Sequence, residues 1–140
     1  MGQFFRKILC PIAFDEQCAG ALDLARTVAE QTGGRVQALH VVSVDAEADP
    51  GWEKGATIQL EKIVNERLAG KVDHEFVVRT GSAADEVLNA AQEFGSDLIV
   101  IPTHGRVGLK RLILGSVAER VIRESNTPLL TLRHRDGRVR

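Results

Sequence analysis

The chain has 140 residues, 44% hydrophobic and 26% charged, with a formal net charge of -1 at pH 7. That composition suits one globular domain with one sizeable core and argues against disorder, and so small a net charge directs no strong field at nucleic acid or membrane. No apolar run reaches the ~18 residues of a membrane span, residues 1–7 lack the apolar stretch of a secretory signal, and the two cysteines have neither Cys-x-x-Cys nor zinc-ligand spacing, which points to a reducing, cytoplasmic setting.

Strand-like and helix-like patterns then alternate. Ile8–Phe14 is a short apolar run without strict alternation, the pattern of a strand buried on both faces. Cys10 within it reads as a small buried hydrophobe. Asp15–Thr32 predicts a helix, since Ala21, Leu22, Ala25, Val28 and Ala29 recur three and four apart, and Gly33-Gly34 ends it. Val36–Val44 predicts the second strand. Asp45–Gly55, with Pro50 and Gly51, predicts a loop. Trp52 falls in that loop, as a partner anchor or a cover for the sheet end. Asp45, Glu47 and Asp49 lack calcium-loop spacing and read as solvated.

Ile58–Leu68 predicts the second helix, and Gly70 stops it. His74–Thr80, rich in β-branched residues, predicts the third strand. Ser82 as cap and Asp85 at the positive end open a third helix, which runs to about Phe94 before Gly95. Asp97–Ile101 predicts the fourth strand, Ser116–Ser125 the fourth helix and Leu129–Leu132 the fifth strand. The alternation βαβαβαβαβ predicts an α/β fold, a parallel sheet with helices on both faces and right-handed crossovers. Pro11 and Pro102 stand at or near the carboxyl ends of central strands. Proline is tolerated there only as ladder pairing ends, and open α/β sheets bind ligands at those ends. The expectation is a single domain over residues 1–140. Its basic tail at about 134–140 reads as solvated, or as able to touch phosphates or acidic partners.

The segment between the fourth strand and fourth helix is basic and punctuated by glycine. Gly115-Ser116 stands at a helix start, where free N–H groups and the helix dipole favour an anion, and Arg106, Lys110 and Arg111 add positive charge. Phosphate binding is one reading of these residues. The other is local: Ser116-x-x-Glu119 is a capping box, and turns alone account for the glycines. Neither Gly-x4-Gly-Lys-[Ser/Thr] nor a Gly-x-Gly-x-x-Gly after the first strand is present. His40 reads as a packed, hydrogen-bonded residue rather than a catalyst. His104 is the better functional candidate by position, without an identifiable nucleophile beside it.

From about Phe5 to Arg133 the sequence resembles the universal stress protein family. The resembling pieces are Lys7-Ile8-Leu9-Cys10-Pro11, Leu39-His40-Val41, Asp97-Leu98-Ile99-Val100, Thr103-His104-Gly105-Arg106, Leu114-Gly115-Ser116-Val117-Ala118-Glu119 and Asn126-Thr127-Pro128-Leu129-Leu130, in the family's order. The resemblance implies a doubly wound five-stranded parallel sheet of order 3-2-1-4-5, a crevice between strands 1 and 4, and a homodimer paired along the edge of strand 5. It implies an adenine nucleotide (ATP, ADP or AMP) as ligand, with magnesium carried by the nucleotide rather than by a protein cage.

The frame Gly-x2-Gly-x9-Gly-[Ser/Thr] of the family's ATP-binding branch falls on Pro102, Gly105, Gly115 and Ser116, so Pro102 removes one backbone N–H. Where the family carries an acidic residue two after the strand 1 proline, this chain has Ala13; Asp15, two residues further on, reads either as its substitute or as the start or cap of the first helix. Loss of such a charged hydrogen bond costs about 1.5–3 kcal/mol. By the resemblance, Pro11, Ile12, Ala13, Val41 and Ile101 line the base and ribose side. Gly105, Gly115, Ser116 and Val117 hold the phosphates, Arg106 adds charge, and Thr103 and His104 belong to the same binding loop. Three functions follow: a dimeric nucleotide-binding sensor or regulator in the stress response, a nucleotide-independent protein-interaction dimer with a vestigial site, and a slow ATPase. The last lacks a residue to orient an attacking water.

Overall fold

A computed structural model describes residues 4–14, 18–42, 51–102 and 116–132. The elements in chain order are β1 (Lys7–Pro11), α1 (Cys18–Thr32), β2 (Arg35–Val42), α2 (Trp52–Leu68), β3 (Asp73–Thr80), α3 (Ala83–Phe94), β4 (Leu98–Pro102), α4 (Ser116–Glu124) and β5 (Leu129–Leu132). All neighbouring strands pair parallel, and the order is β3-β2-β1-β4-β5, as expected.

Alternate residues of the central strands feed two cores. Ile8, Cys10, Val36, Ala38, Leu98 and Val100 face α1 and α2, meeting Ala21, Leu22, Ala25, Leu60 and Val64. Leu9, Leu39, Ile99 and Ile101 face α3 and α4, meeting Val87, Ala90, Ala91, Ala118 and Val121. Burial of the central strands on both faces is why they read as unbroken apolar runs. The helices are amphipathic stripes laid on those faces: α2 buries Ala56, Leu60, Val64 and Leu68 at a spacing of four.

Among the described residues two boundaries depart from expectation by three residues or more. β1 ends at Pro11, not Phe14, because Phe14 takes a left-handed conformation with φ 57° and turns the chain. α2 starts at Trp52, six residues before the expected Ile58, so Trp52 is helical rather than in a loop. Those residues carry Gly55 and only Ala56 as a buried position, a poor helix signature in sequence. The Gly55 amide nonetheless donates to Gly51 O at 3.0 Å, and Glu53 complements the helix N-terminus.

β4 starts at Leu98, while Asp97 acts as a clamp. Its carboxylate accepts from the Arg6 and Lys7 amides at 3.1 and 3.0 Å, and its own amide donates to Lys7 O at 2.9 Å. Ser82 occupies the cap position of α3 but makes no side-chain capping bond; Asp85 and Glu86 fill the first turn instead. Gly33 and Gly95, at φ 72° and 71°, close α1 and α3 in the left-handed conformation. No helix among the described residues is long and apolar enough to cross a membrane.

Candidate functional site: the crevice between β1 and β4

The β1–β4 ladder holds two pairs, Ile8↔Leu98 and Leu9↔Ile99. Beyond them each strand follows its outer neighbour. β1 stays with β2 to Pro11↔Leu39, and β4 stays with β5 to Pro102↔Leu132. The sheet therefore splits at the carboxyl ends of its two central strands. Proline ends both strands, where a missing N–H no longer interrupts a shared ladder. The chain leaves β1 for α1 on one face and leaves β4 for α4 on the other, which opens the crevice.

The wall on the β1 side is held by an unusual latch. The Ile12 amide donates to Leu39 O at 2.7 Å, continuing the β1–β2 ladder one step past Pro11. His40 Nδ1 lies 2.7 Å from Ile12 O. A carbonyl only accepts, so Nδ1 carries the proton of this bond. The Phe14 ring stacks on the same imidazole at 4.1 Å and 26°. A left-handed non-glycine residue costs about 1–2 kcal/mol. Ring stacking and burial against the α1–α2 core offset that cost at Phe14. Ala13, between the two latched residues, is exposed.

The latch frees main-chain groups of Val41. Leu39 directs its carbonyl at β1, and Val42 directs its carbonyl at the other side, accepting from the Gly81 amide at 3.0 Å. By strand alternation Val41 directs its N–H and C=O toward β1, past the end of the β1–β2 ladder. His40 Nδ1, not the Val41 amide, takes the Ile12 carbonyl. Among the described residues the Val41 N–H and C=O meet no hydrogen-bond partner, so they stand side by side at the crevice as one donor and one acceptor.

The remaining expected residues divide into three sets. Pro11 and Val41 are half-buried and Ala13 exposed, so they supply accessible surface along with Pro102. Ile12 and Ile101, each 4% exposed, belong to opposite cores and support the walls from behind. Ser116 is exposed as the first residue of α4, and Val117 packs against the α3–α4 core. Arg120 ties α4 to α3 through Asp85, and also bonds Glu124 at 3.2 Å; the two carboxylates, Glu124 first, raise its pKa. Thr103, His104, Gly105, Arg106 and Gly115 lie outside the described residues, as do Asp15, the acidic residues 45, 47 and 49, and the basic tail.

Behind the wall, burial pushes the Cys10 thiol pKa up, and nearby Cys18 adds to the shift. Cys10 is therefore a protonated packing residue, as its apolar surroundings in sequence suggested. Among the described residues no three His, Cys, Asp or Glu side chains form a metal-ligating group. Sequence reasoning placed His40 as packed and hydrogen-bonded, which it is. It missed Phe14 and the Asp97 clamp, since neither a left-handed phenylalanine nor a carboxylate reaching another strand's amides has a local signature.

The sequence matches the model of the universal stress protein family over residues 4–133. It is 30% identical to universal stress protein MJ0531 of Methanocaldococcus jannaschii, over 92% of this chain and 82% of that protein. The fold superposes on that of protein MJ0577 of the same organism with a TM-score of 0.83 at 27% identity, covering 94% of this chain and 98% of that one. It also superposes on a universal stress protein in complex with cAMP, with a TM-score of 0.76 at 19% identity, covering 94% and 98% of the two chains. With the strand order 3-2-1-4-5 and the split sheet, this places the chain in the universal stress protein family.

Proposed function

We propose that the crevice binds an adenine nucleotide and that the protein acts as a cytoplasmic, dimeric sensor or regulator, residues 1–140 working as one unit. The observation that carries this reading is the Val41 main chain beside an apolar slot. Adenine presents an acceptor, N1, next to a donor, the 6-amino group. The free N–H and C=O of Val41 match that pair, and Pro11, Ala13 and Pro102 offer apolar contact for a flat base. The phosphates would run toward Ser116 and Val117 at the α4 N-terminus, with Thr103, His104, Gly105, Arg106 and Gly115 closing around them. Magnesium would arrive with the nucleotide. The cAMP complex of a relative supports an adenine nucleotide as the ligand class. The dimer would use the β5 edge, where Leu130 is 36% exposed.

Calorimetric titration with ATP in magnesium buffer, and with AMP for comparison, tests the reading. Saturable binding in the micromolar range is expected. No heat and no thermal stabilisation at millimolar ATP would overturn it. Ala13 and Pro102 favour a second reading, a protein-interaction dimer without nucleotide. The exposed Ala13 side chain offers the ribose no hydrogen-bonding group, and Pro102 offers the phosphates no N–H. Gly115→Trp separates the two: it abolishes ligand binding in the first and leaves partner capture intact in the second.

A further inference from the structure

Among the described residues the sheet has a second open edge, at β3, opposite β5. A cavity of ≈ 420 Å³ runs along it, lined by Glu53, Lys54 and Thr57 of α2 and by Phe76, Val77 and Val78 of β3. Side chains of successive strand residues point to opposite faces, so three consecutive lining residues mean that the groove follows the strand's backbone edge. β3 has eight residues and no proline, and its interior positions are all half-buried rather than covered. Ile58, next to Thr57 in α2, is 60% exposed.

We propose that a second copy of this chain docks here, β3 against β3′ antiparallel, about a twofold axis through Val77. Charge pattern selects this occupant. An axis at Val77 sets Glu75 opposite the partner's Arg79 and Arg79 opposite the partner's Glu75, on the α3 face of the sheet. On the α2 face it sets Phe76 opposite the partner's Val78, and Val78 opposite the partner's Phe76. Within one chain Glu75 already binds Arg35 at 3.0 Å, and Arg79 binds Glu93 at 2.6 Å and Glu86 at 3.5 Å. Pairing joins these into one row of alternating charge: Arg35, Glu75, the partner's Arg79, the partner's Glu86. Charges on an edge strand ordinarily repel a second copy. Placed symmetrically with opposite sign, they attract it.

The helix repeats the pattern. Thr57 lies level with Phe76–Val78 across the groove. A twofold passing between Thr57 and Ile58 sets Lys54 opposite the partner's Glu61 on both sides, with Ile58 against the partner's Thr57. Lys54 and Glu61 are exposed, and neither has an ion-pair partner among the described residues. The contact is isologous, as a twofold requires. It leaves β5 free, so pairing at both edges would build assemblies larger than a dimer.

Sedimentation of the full chain over a concentration series tests the edge by charge exchange. Glu75→Arg or Arg79→Glu alone should weaken self-association on the order of tenfold. Lys54→Glu or Glu61→Lys alone should weaken it likewise, and the double variant should restore it, on exposed helix positions that leave folding intact. Val77→Cys should give a disulfide-linked dimer on mild oxidation, since facing Cα atoms in an antiparallel pair are about 4.5–5.5 Å apart. The native Cys10 and Cys18 are buried. The proposal is overturned if folded Val77→Cys protein forms no linked dimer. It is equally overturned if the double variant at Lys54 and Glu61 associates no better than its single variants, or if Leu130→Arg at β5 leaves a monomer.

Discussion

His40 performs two tasks with one ring: its Nδ1–H holds the Ile12 carbonyl, and its face holds Phe14. Substitutions that keep one task and drop the other separate them. His40→Phe keeps an aromatic face and leaves the Ile12 carbonyl without its partner, which should cost about 1–2 kcal/mol in urea unfolding. His40→Asn keeps a donor at nearly the same place and loses the stack. If the latch sets the crevice wall, both variants should weaken nucleotide binding, and the asparagine variant should retain more of it. A ring that is only packing would give the reverse order. The packed, hydrogen-bonded state of this histidine could be inferred from its place in an apolar strand. Its partner could not, since Ile12 is 28 residues away and the contact depends on β1 turning at Phe14.

At the scale of elements, two glycines with opposite surroundings report on how the pieces fit. A Cβ on Gly34 would lie 2.5 Å from Arg6 O and 2.6 Å from Arg6 Cα, both main-chain atoms. That backbone is fixed, because the Arg35 amide donates to Arg6 O at 2.8 Å and Asp97 clamps the Arg6 amide. Gly34→Ala should destabilise by about 1–3 kcal/mol. Gly55, within α2, has open space around the same atom. Gly55→Ala should stabilise by about 0.5–1 kcal/mol. Thermal melts of the two variants check the pair. Gly34 announces only a turn in sequence; that it marks a close approach of two chain segments follows from the fold. The early start of α2 was hidden for a related reason. Ala56 is the one buried position of α2 before Ile58, so its burial and the Glu53 terminus carry a turn that propensity disfavours.

For the whole molecule, Cys10 couples stability to pH, because it lies in a central strand and reaches water only on global unfolding. Burial holds its folded-state pKa above the ordinary value of about 9. The thiol then contributes fully below that value, and its contribution is lost as pH rises above it. Unfolding free energy should fall by up to about 1.4 kcal/mol per pH unit on the alkaline side, and Cys10→Ala should remove that slope. Denaturation at several pH values from 8 upward checks both. Element order, the parallel sheet, the two-sided burial of β1 and β4 and the resemblance to the universal stress proteins were all present in the chain's periodicities and motifs. Those signals are local, repeated every two or 3.6 residues, and survive without knowledge of neighbours. The split between β1 and β4, the His40–Phe14 latch, the free main chain of Val41 and the self-complementary β3 edge were not. Each depends on residues far apart in sequence meeting at a particular register, and register is set only when the sheet assembles.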